Sequence, residues 1–503
     1  MNGAGAINPT LARGTAWRDA GTTSWSRQAF LLAALLAVLG GSLLVLKIKL
    51  PALACLAAAG GLVILVRPDT ATLVMAMLLY TNATVVSSRF HGVPRLAGVA
   101  IFVLLLIPAY HQIVLGRKRL VFDRAVPLLA LFVLLQTIGT MCAEHPERAV
   151  HVAFTSLTEG LILYLLLINV IRDKTVLRQV VWTLLLAGGL LGTLSALQQW
   201  TGEFNNTFGG FAQVPKDELA GPLSVRSDSP RSAGPIGEKN YYAQFMLLLL
   251  PLGLTFALTR PRPGQRWAAA AASALIALGV AFTASRGAAV GAVVMVVAMV
   301  FFKQIRWQHV AALAVAALLI VVASPQLSAR LATIADLVSL AQRDSQVQQV
   351  DKSTQGRLSE MLAASLVWAD HPIQGVGPGN FPAEFLKKAD AMGFQVHTEE
   401  RLAHCAVLEI AAENGLLGLL CIAAIFFVSF QQLVRARRAA LDPEVRVLVT
   451  AFLVTLIVLV CSSFFLSFAY VRYYWFMLAL AAAAARLALV PLPAGRRPIA
   501  EVG

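Results

Sequence analysis

Charge is scarce in this chain. Only 13% of its 503 residues are Asp, Glu, Lys or Arg, about half the roughly 25% usual in soluble proteins. Acids are scarcer than bases, 26 against 41. So little charge cannot cover a surface that faces water. That excludes an ordinary soluble enzyme, a disordered chain, a coiled coil and a collagen-like fibre. Cysteine is also sparse: Cys55, Cys142, Cys405, Cys421 and Cys461 are the full set. A disulfide-stapled secreted scaffold is excluded, and no pair shows zinc-ligand spacing. What is plentiful is apolar sequence, at 58% hydrophobic residues and a mean hydropathy of +0.72. The fold class this implies is all-α, a polytopic integral membrane protein.

About 20 apolar residues of helix are needed to cross a hydrocarbon core about 30 Å thick. Runs of that kind fall at 30–46, 50–66, 71–87, 96–115, 125–141, 150–171 and 178–199. They resume at 238–259, 267–283, 287–303 and 308–324, then at 404–433, 445–466 and 471–490. The first two join tightly through 47–51, so about 12–14 transmembrane helices are expected. The expected layout begins with a cytoplasmic tail over 1–28 and an N-terminal bundle of about seven spans over 29–199. An outer loop rich in Gly, Pro, Ser and Asn follows at 200–237, then spans over 238–324 that contain a turn at Arg286. A large helical outer loop covers 325–403, C-terminal spans 404–490, and a cytoplasmic tail 491–503.

Orientation follows from the connections. Lys and Arg gather in the first tail (Arg13, Arg18, Arg27) and in 117–124, 172–178, 260–266 and 435–446, while the alternate connections hold fewer. Cytoplasmic loops carry that excess, so both termini are placed inside. The net charge of +15 is then a topology signal facing anionic lipid headgroups. Membrane lipids are expected partners and nucleic acid is not. Residues 1–28 are polar and show no cleavage site after a short apolar core, so the first helix is expected to remain as an anchor in a bacterial inner membrane.

Four outward clusters carry chemical potential. Arg226 and Arg231 precede Gly234-Pro235-Ile236-Gly237-Glu238-Lys239-Asn240-Tyr241, which runs into a span. Arginine forks bind phosphate oxygens and helix starts attract anions; on the residues alone a plain charged loop at a helix start is the more ordinary reading. Thr283-Ala284-Ser285-Arg286-Gly287 is a tight turn between two apolar spans. Its arginine either faces the bundle interior or snorkels to the interface. Gly356-Arg357 opens a stretch in which Leu358, Met361, Leu362 and Leu366 recur at helical spacing, as do Leu327, Leu331, Ile334, Leu337 and Leu340 before it. The Gly375-Val376-Gly377-Pro378-Gly379-Asn380-Phe381 loop that follows has no preceding strand and a misplaced third glycine, so it is no dinucleotide fingerprint. It is expected to be an ordered turn, with Arg357 a further anion partner. Finally, His404-Cys405 opens a span that carries Glu409, Glu413, Asn414 and Gly415. A histidine there suits proton exchange near neutral pH, or it caps the helix. Glu413 lies on the far side of that helix from His404, so the two glutamates should bond neighbouring helices rather than steer the imidazole. Glu159, mid-span, fits an ion path or a packed hydrogen bond.

In this order and spacing the four clusters resemble the O-antigen ligase-like family of membrane glycosyltransferases, which includes O-antigen ligases and O-antigen or exopolysaccharide polymerases. The most specific feature is His404, one polar residue, then nine residues to Gly415; Cys405 stands where the family usually has Asn, Ser or Gln. Ser285-Arg286-Gly287, the stretch from Arg231 to Asn240, and the loop containing Gly377 are further landmarks. The resemblance implies a GT-C-like fold with a periplasmic active site. It implies a glycan on undecaprenyl diphosphate as donor, transferred with inversion and without metal or other cofactor. Arg231, Arg286 and Arg357 would bind the diphosphate and His404 would activate the acceptor hydroxyl. Asn240, Ser285, Gly377, Glu409 and Glu413 would support them. The acceptor, whether another glycan, lipid A-core or a protein side chain, stays open. A lipid-linked-sugar flippase or other transporter is the rival reading, requiring mid-membrane charges or repeated halves.

Overall fold

The computed structural model describes residues 60–215, 230–323, 352–391 and 400–489, with Leu35, Ala58 and Glu218 besides. The predicted span at 30–46, the start of that at 50–66, Arg226 and the leucine stripe at 327–340 lie outside these residues. Each predicted span from 71–87 onward falls on a helix. In chain order the helices are α1 (Asp69–Tyr80), α2 (Ala83–His91), α3 (Ala100–Leu115), α4 (Ala125–Gly139), α5 (Pro146–Val170), α6 (Lys174–Thr201), α7 (Lys239–Thr259) and α8 (Pro263–Ala281). They continue as α9 (Arg286–Phe301), α10 (Trp307–Ala323), α11 (Lys352–Asp370), α12 (Phe381–Ala391), α13 (Ala406–Ala439), α14 (Pro443–Ser463) and α15 (Val471–Leu489). Among the described residues no strand forms, and one bridge pairs Gln213 with Gly234. The protein is an all-α, multi-pass membrane protein.

Five helices (α5, α6, α7, α13 and α14) are long and apolar enough to cross a membrane, and α1 with α2, bent by 57° at their break, form a sixth if counted as one span. Others are shorter than a full crossing. At 1.5 Å per residue, the 16 residues of α9 reach about 24 Å, less than the hydrocarbon thickness.

α15 is the hub. It packs on α13, α14 and α5, and residues on every side of it, from Arg472 to Ala488, are buried. A helix apolar all round belongs in a core. Its alanine run at 481–485 lets neighbours approach closely, while Tyr473 stacks on Phe245 with ring centroids 4.0 Å apart. Polar residues start the helices. Asp173 accepts from Thr175 N and Val176 N to cap α6, and Asp442 accepts from Glu444 N to cap α14. Glu238 accepts from Tyr241 N to cap α7, and Ser285 accepts from Ala288 N to cap α9. Each satisfies amide groups that the first turn leaves free.

Because adjacent helices alternate in direction, these caps sort into two ends. At one end Lys174 pairs with Asp442 at 2.6 Å, and Glu444 takes Arg260 at 2.8 Å and Arg178 at 3.3 Å. At the other lie the starts of α7, α9 and α13, the 231–240 stretch, and α11 with α12.

Candidate functional site

The site is built where three helix starts meet. Ser285 Oγ donates to Asn240 Oδ1 at 3.0 Å, and Asn240 Nδ2 donates to Glu238 Oε1 at 3.0 Å. The cap of α9 is thus tied to the cap of α7. The turn before α9 closes through Ala284, held at φ 47°. Asn240, Gln244, Ser285, Gly287 and Arg357 line one cleft together with Phe465, so α11 closes the side that α7 and α9 leave open.

Arg357 is the electrostatic centre of this end. Burial disfavours its charged form first, followed by the positive charge of Arg286, and its pKa is lowered; Glu360 and Glu238 act in the opposite sense, and Arg231 adds a weaker lowering effect. Arg231, Arg286 and Arg357 therefore share one neighbourhood. Arg231 is firmly clamped. Glu218 accepts from its Nη2, from Nε at 2.6 Å and from its backbone N at 2.9 Å, and also accepts from Lys239 Nζ at 2.9 Å. Although burial opposes its ionisation, the hydrogen bonds from Arg231 and the charge of Lys239 lower the Glu218 pKa to about 2.

His404 sits at φ 48°, in the left-handed region that non-glycine residues rarely enter and that marks over-determined sites. Its backbone N donates to Ser467 Oγ at 2.9 Å. Its Nδ1 lies 2.8 Å from Glu360 Oε2 and 3.1 Å from the Leu402 carbonyl. Burial opposes the imidazolium, yet contact with the Glu360 carboxylate outweighs it and raises the His404 pKa. The Leu402 carbonyl accepts from Nδ1 and holds the ring proton there, beside the Glu360 carboxylate, which leaves Nε2 with its lone pair. Glu360 is 2% exposed and also meets Arg401 at 3.3 Å.

Sequence reading missed Glu360 and Glu218. Glu360 lies one turn after Arg357 in a helix of mixed polarity, where one more charged residue is no signal. The helix expected from the leucine spacing is present, and the structure shows which way it faces. Leu358 and Leu362, at 60% and 46% exposed, face away from the protein, and the small residues Ala363 and Ala364 are buried against Phe381, Phe385 and Ala403. A leucine-free face was needed so that Glu360 could come close to the start of α13.

The 375–381 loop is ordered, as expected, and the structure shows why Gly415 matters. α13 kinks there (φ 63°, ψ −166°), which frees carbonyls one turn earlier. Val376 N donates to Ala412 O at 3.0 Å and Gly377 N to Glu413 O at 2.9 Å, and Leu416 N donates to Pro372 O at 2.8 Å. A Cβ on Gly415 would stand 2.1 Å from the Ile373 carbonyl. Gly377, at φ 94°, passes so close to α4 that a Cβ would stand 2.6 Å from Ala143 Cβ. Glu413 accepts from Phe381 N at 3.4 Å, so it bonds the loop and not the imidazole. Glu159 lies in a π-helical stretch, Ser156–Ile162, 3.7 Å from Arg472 Nη1. Cys405 is buried at the start of α13 as a free thiol. Among the described residues no group of His, Cys, Asp or Glu is arranged to hold a metal ion.

Residues 271–423 match the family model described as O-antigen ligase. The match takes in the turn at Arg286, Arg357, Glu360, the 375–381 loop, His404 and Gly415, and stops short of Glu218, Arg231 and Asn240. No curated protein matches the chain.

Proposed function

Taking the chain, through residues 271–423, as a member of the O-antigen ligase-like family, we propose that this membrane glycosyltransferase moves a glycan from undecaprenyl diphosphate to an acceptor hydroxyl at the periplasmic face. The observation that carries the proposal is the pairing of His404 with Glu360 beside Arg357. Such a histidine is a general base with a fixed tautomer.

In the proposed reaction Nε2 of His404 takes the proton of the acceptor hydroxyl. The oxygen attacks the anomeric carbon, the bond from that carbon to the diphosphate oxygen breaks, and in-line displacement inverts the centre. The leaving diphosphate gathers negative charge, which Arg286 and Arg357 stabilise in place before the reaction begins. Arg231 presents a charge partly spent on Glu218 and acts as a more distant contributor. Asn240 and Ser285 hold the starts of α7 and α9 in register around the anion. A donor with a lipid tail and a polar head suits a site at helix starts near the bilayer surface.

The test is transfer in membranes by His404→Ala, with correct folding checked by its melting temperature. A loss of about 100-fold or more is expected from removing a general base; near-wild-type transfer by a folded variant removes the assigned base. The glycan profile of a deletion strain separates the two family activities. Loss of long chains with one repeat still attached identifies a polymerase, and full-length chains stranded on carrier lipid identify a ligase.

A further inference from the structure

On the other side of the Ser467 segment from the arginines lies a cavity of about 480 Å³, within the size range of small-molecule sites. Its wall is polar although it is set among spanning helices. Glu159, Glu409 and Glu413 contribute carboxyl groups, Gln136 and Asn414 amides, and Arg472 a guanidinium. Gln136 is 2% exposed, Glu409 5%, Asn414 8% and Arg472 9%. One polar atom on each, Gln136 Oε1, Glu409 Oε2, Asn414 Oδ1 and Arg472 Nε, has no hydrogen-bond partner among the described residues. Buried polar atoms left unpaired are costly and rare, and four on residues that line one space mark its wall as unusually polar. The π-helical stretch carrying Glu159 is a second sign, since such turns recur at functional sites.

Resting on the function proposed above, we propose that this cavity is the saccharide subsite of the acceptor. The chemistry selects hydroxyl groups: carboxyl and amide oxygens accept from them, Arg472 donates to them, and the rings of Phe468 and Tyr470 on the same wall offer flat faces to sugar C–H groups. Carboxyl and amide oxygens outnumber the two basic groups of this wall, Arg472 and His151, so it suits the hydroxyl groups of a sugar better than a phosphate. The place is right for an acceptor. Leu402 and Phe468 line the cavity, and His404 lies next to it, its amide bonded to Ser467. The diphosphate end of the donor belongs with Arg286 and Arg357, so the base stands between the two halves.

The experiment uses the full-length protein in nanodiscs with a diazirine-bearing octyl glucoside as probe. Crosslinks are expected within 409–414 and 468–472, displaced by plain octyl glucoside and not by inorganic pyrophosphate. Gln136→Ala and Asn414→Ala should each reduce labelling about tenfold, the value of one hydrogen bond. Each should raise the acceptor KM by a similar factor while the donor KM stays within about twofold. Gln136→Glu, which keeps an acceptor oxygen, serves if the alanine variants melt early, and should retain labelling. Crosslinks elsewhere, displacement by pyrophosphate, or a rise in donor KM alone overturns the subsite. Unchanged transfer by His404→Ala strikes the catalytic reading instead, so the two failures are distinct.

Discussion

At the scale of single residues, the decisive pair is His404 and Glu360. A base must be unprotonated to act, so if His404 has the role proposed above, the carboxylate that raises its pKa also moves the acid limb of activity to higher pH. Glu360→Gln removes that influence and leaves burial and the charge of Arg357, both of which favour neutral imidazole. The acid limb of kcat/KM should move to lower pH while the rate falls about tenfold, because the tautomer loses its anchor; an unshifted limb in a pH–rate profile rules out the pairing. Glu218 gives a stability prediction of the same kind. Its pKa is lowered to about 2, so its contribution is present above the ordinary carboxylate range and is lost as pH falls through that range toward 2. Glu218→Gln should lower the melting temperature at neutral pH and flatten its decline in acid. His404 and Arg286 stood out in the sequence because each borders an apolar run, where a charge needs a reason, and Arg357 because it follows a glycine at the start of a leucine-spaced stretch. Glu360 and Glu218 did not, because a carboxylate gains meaning only from the cation or imidazole that folding brings to it.

At the scale of elements, helix existence was legible and helix faces were not. Apolar run length placed α4 through α9 and α13 through α15 because bilayer thickness dictates it. The 352–370 helix was expected from its leucines, yet its leucines point outward and its alanines inward. Periodicity shows that a face is apolar; it does not say whether protein or lipid covers it. The kink at Gly415 likewise depends on a loop 35 to 40 residues earlier in the chain, which runs through Gly375 and Gly377. Gly415→Ala should cost more than about 1 kcal/mol from its positive φ alone, with the blocked approach of Ile373 added. Thermal unfolding in detergent measures this, and the variant should also lose transfer because the start of α13 carries His404.

At the scale of the whole molecule, the two ends differ in kind. One is an ion-pair lattice of Lys174, Arg178, Arg260, Asp442 and Glu444; the other gathers the arginines, His404 and Glu360. The function proposed above requires the second end to be the outer one. Cys142 is exposed on that end, in the link that Gly377 approaches. A membrane-impermeant maleimide should label it in intact spheroplasts, whereas Gly264→Cys in a Cys142→Ser background, at the opposite end, should react only after permeabilisation. The reverse pattern would invert the topology. The π-helical stretch at Ser156–Ile162 has its own implication for how this bundle tolerates change. Such a turn holds one residue more than its α-helical counterpart. Deleting a single residue there would restore ordinary winding and leave Pro146–Thr155 and Leu163–Val170 facing nearly as before, because the wide turn absorbs that residue. Hydropathy would scarcely register the loss, and the helix would still insert. What would go is the bulge that sets Glu159 beside Arg472, a change of contour with no change of face.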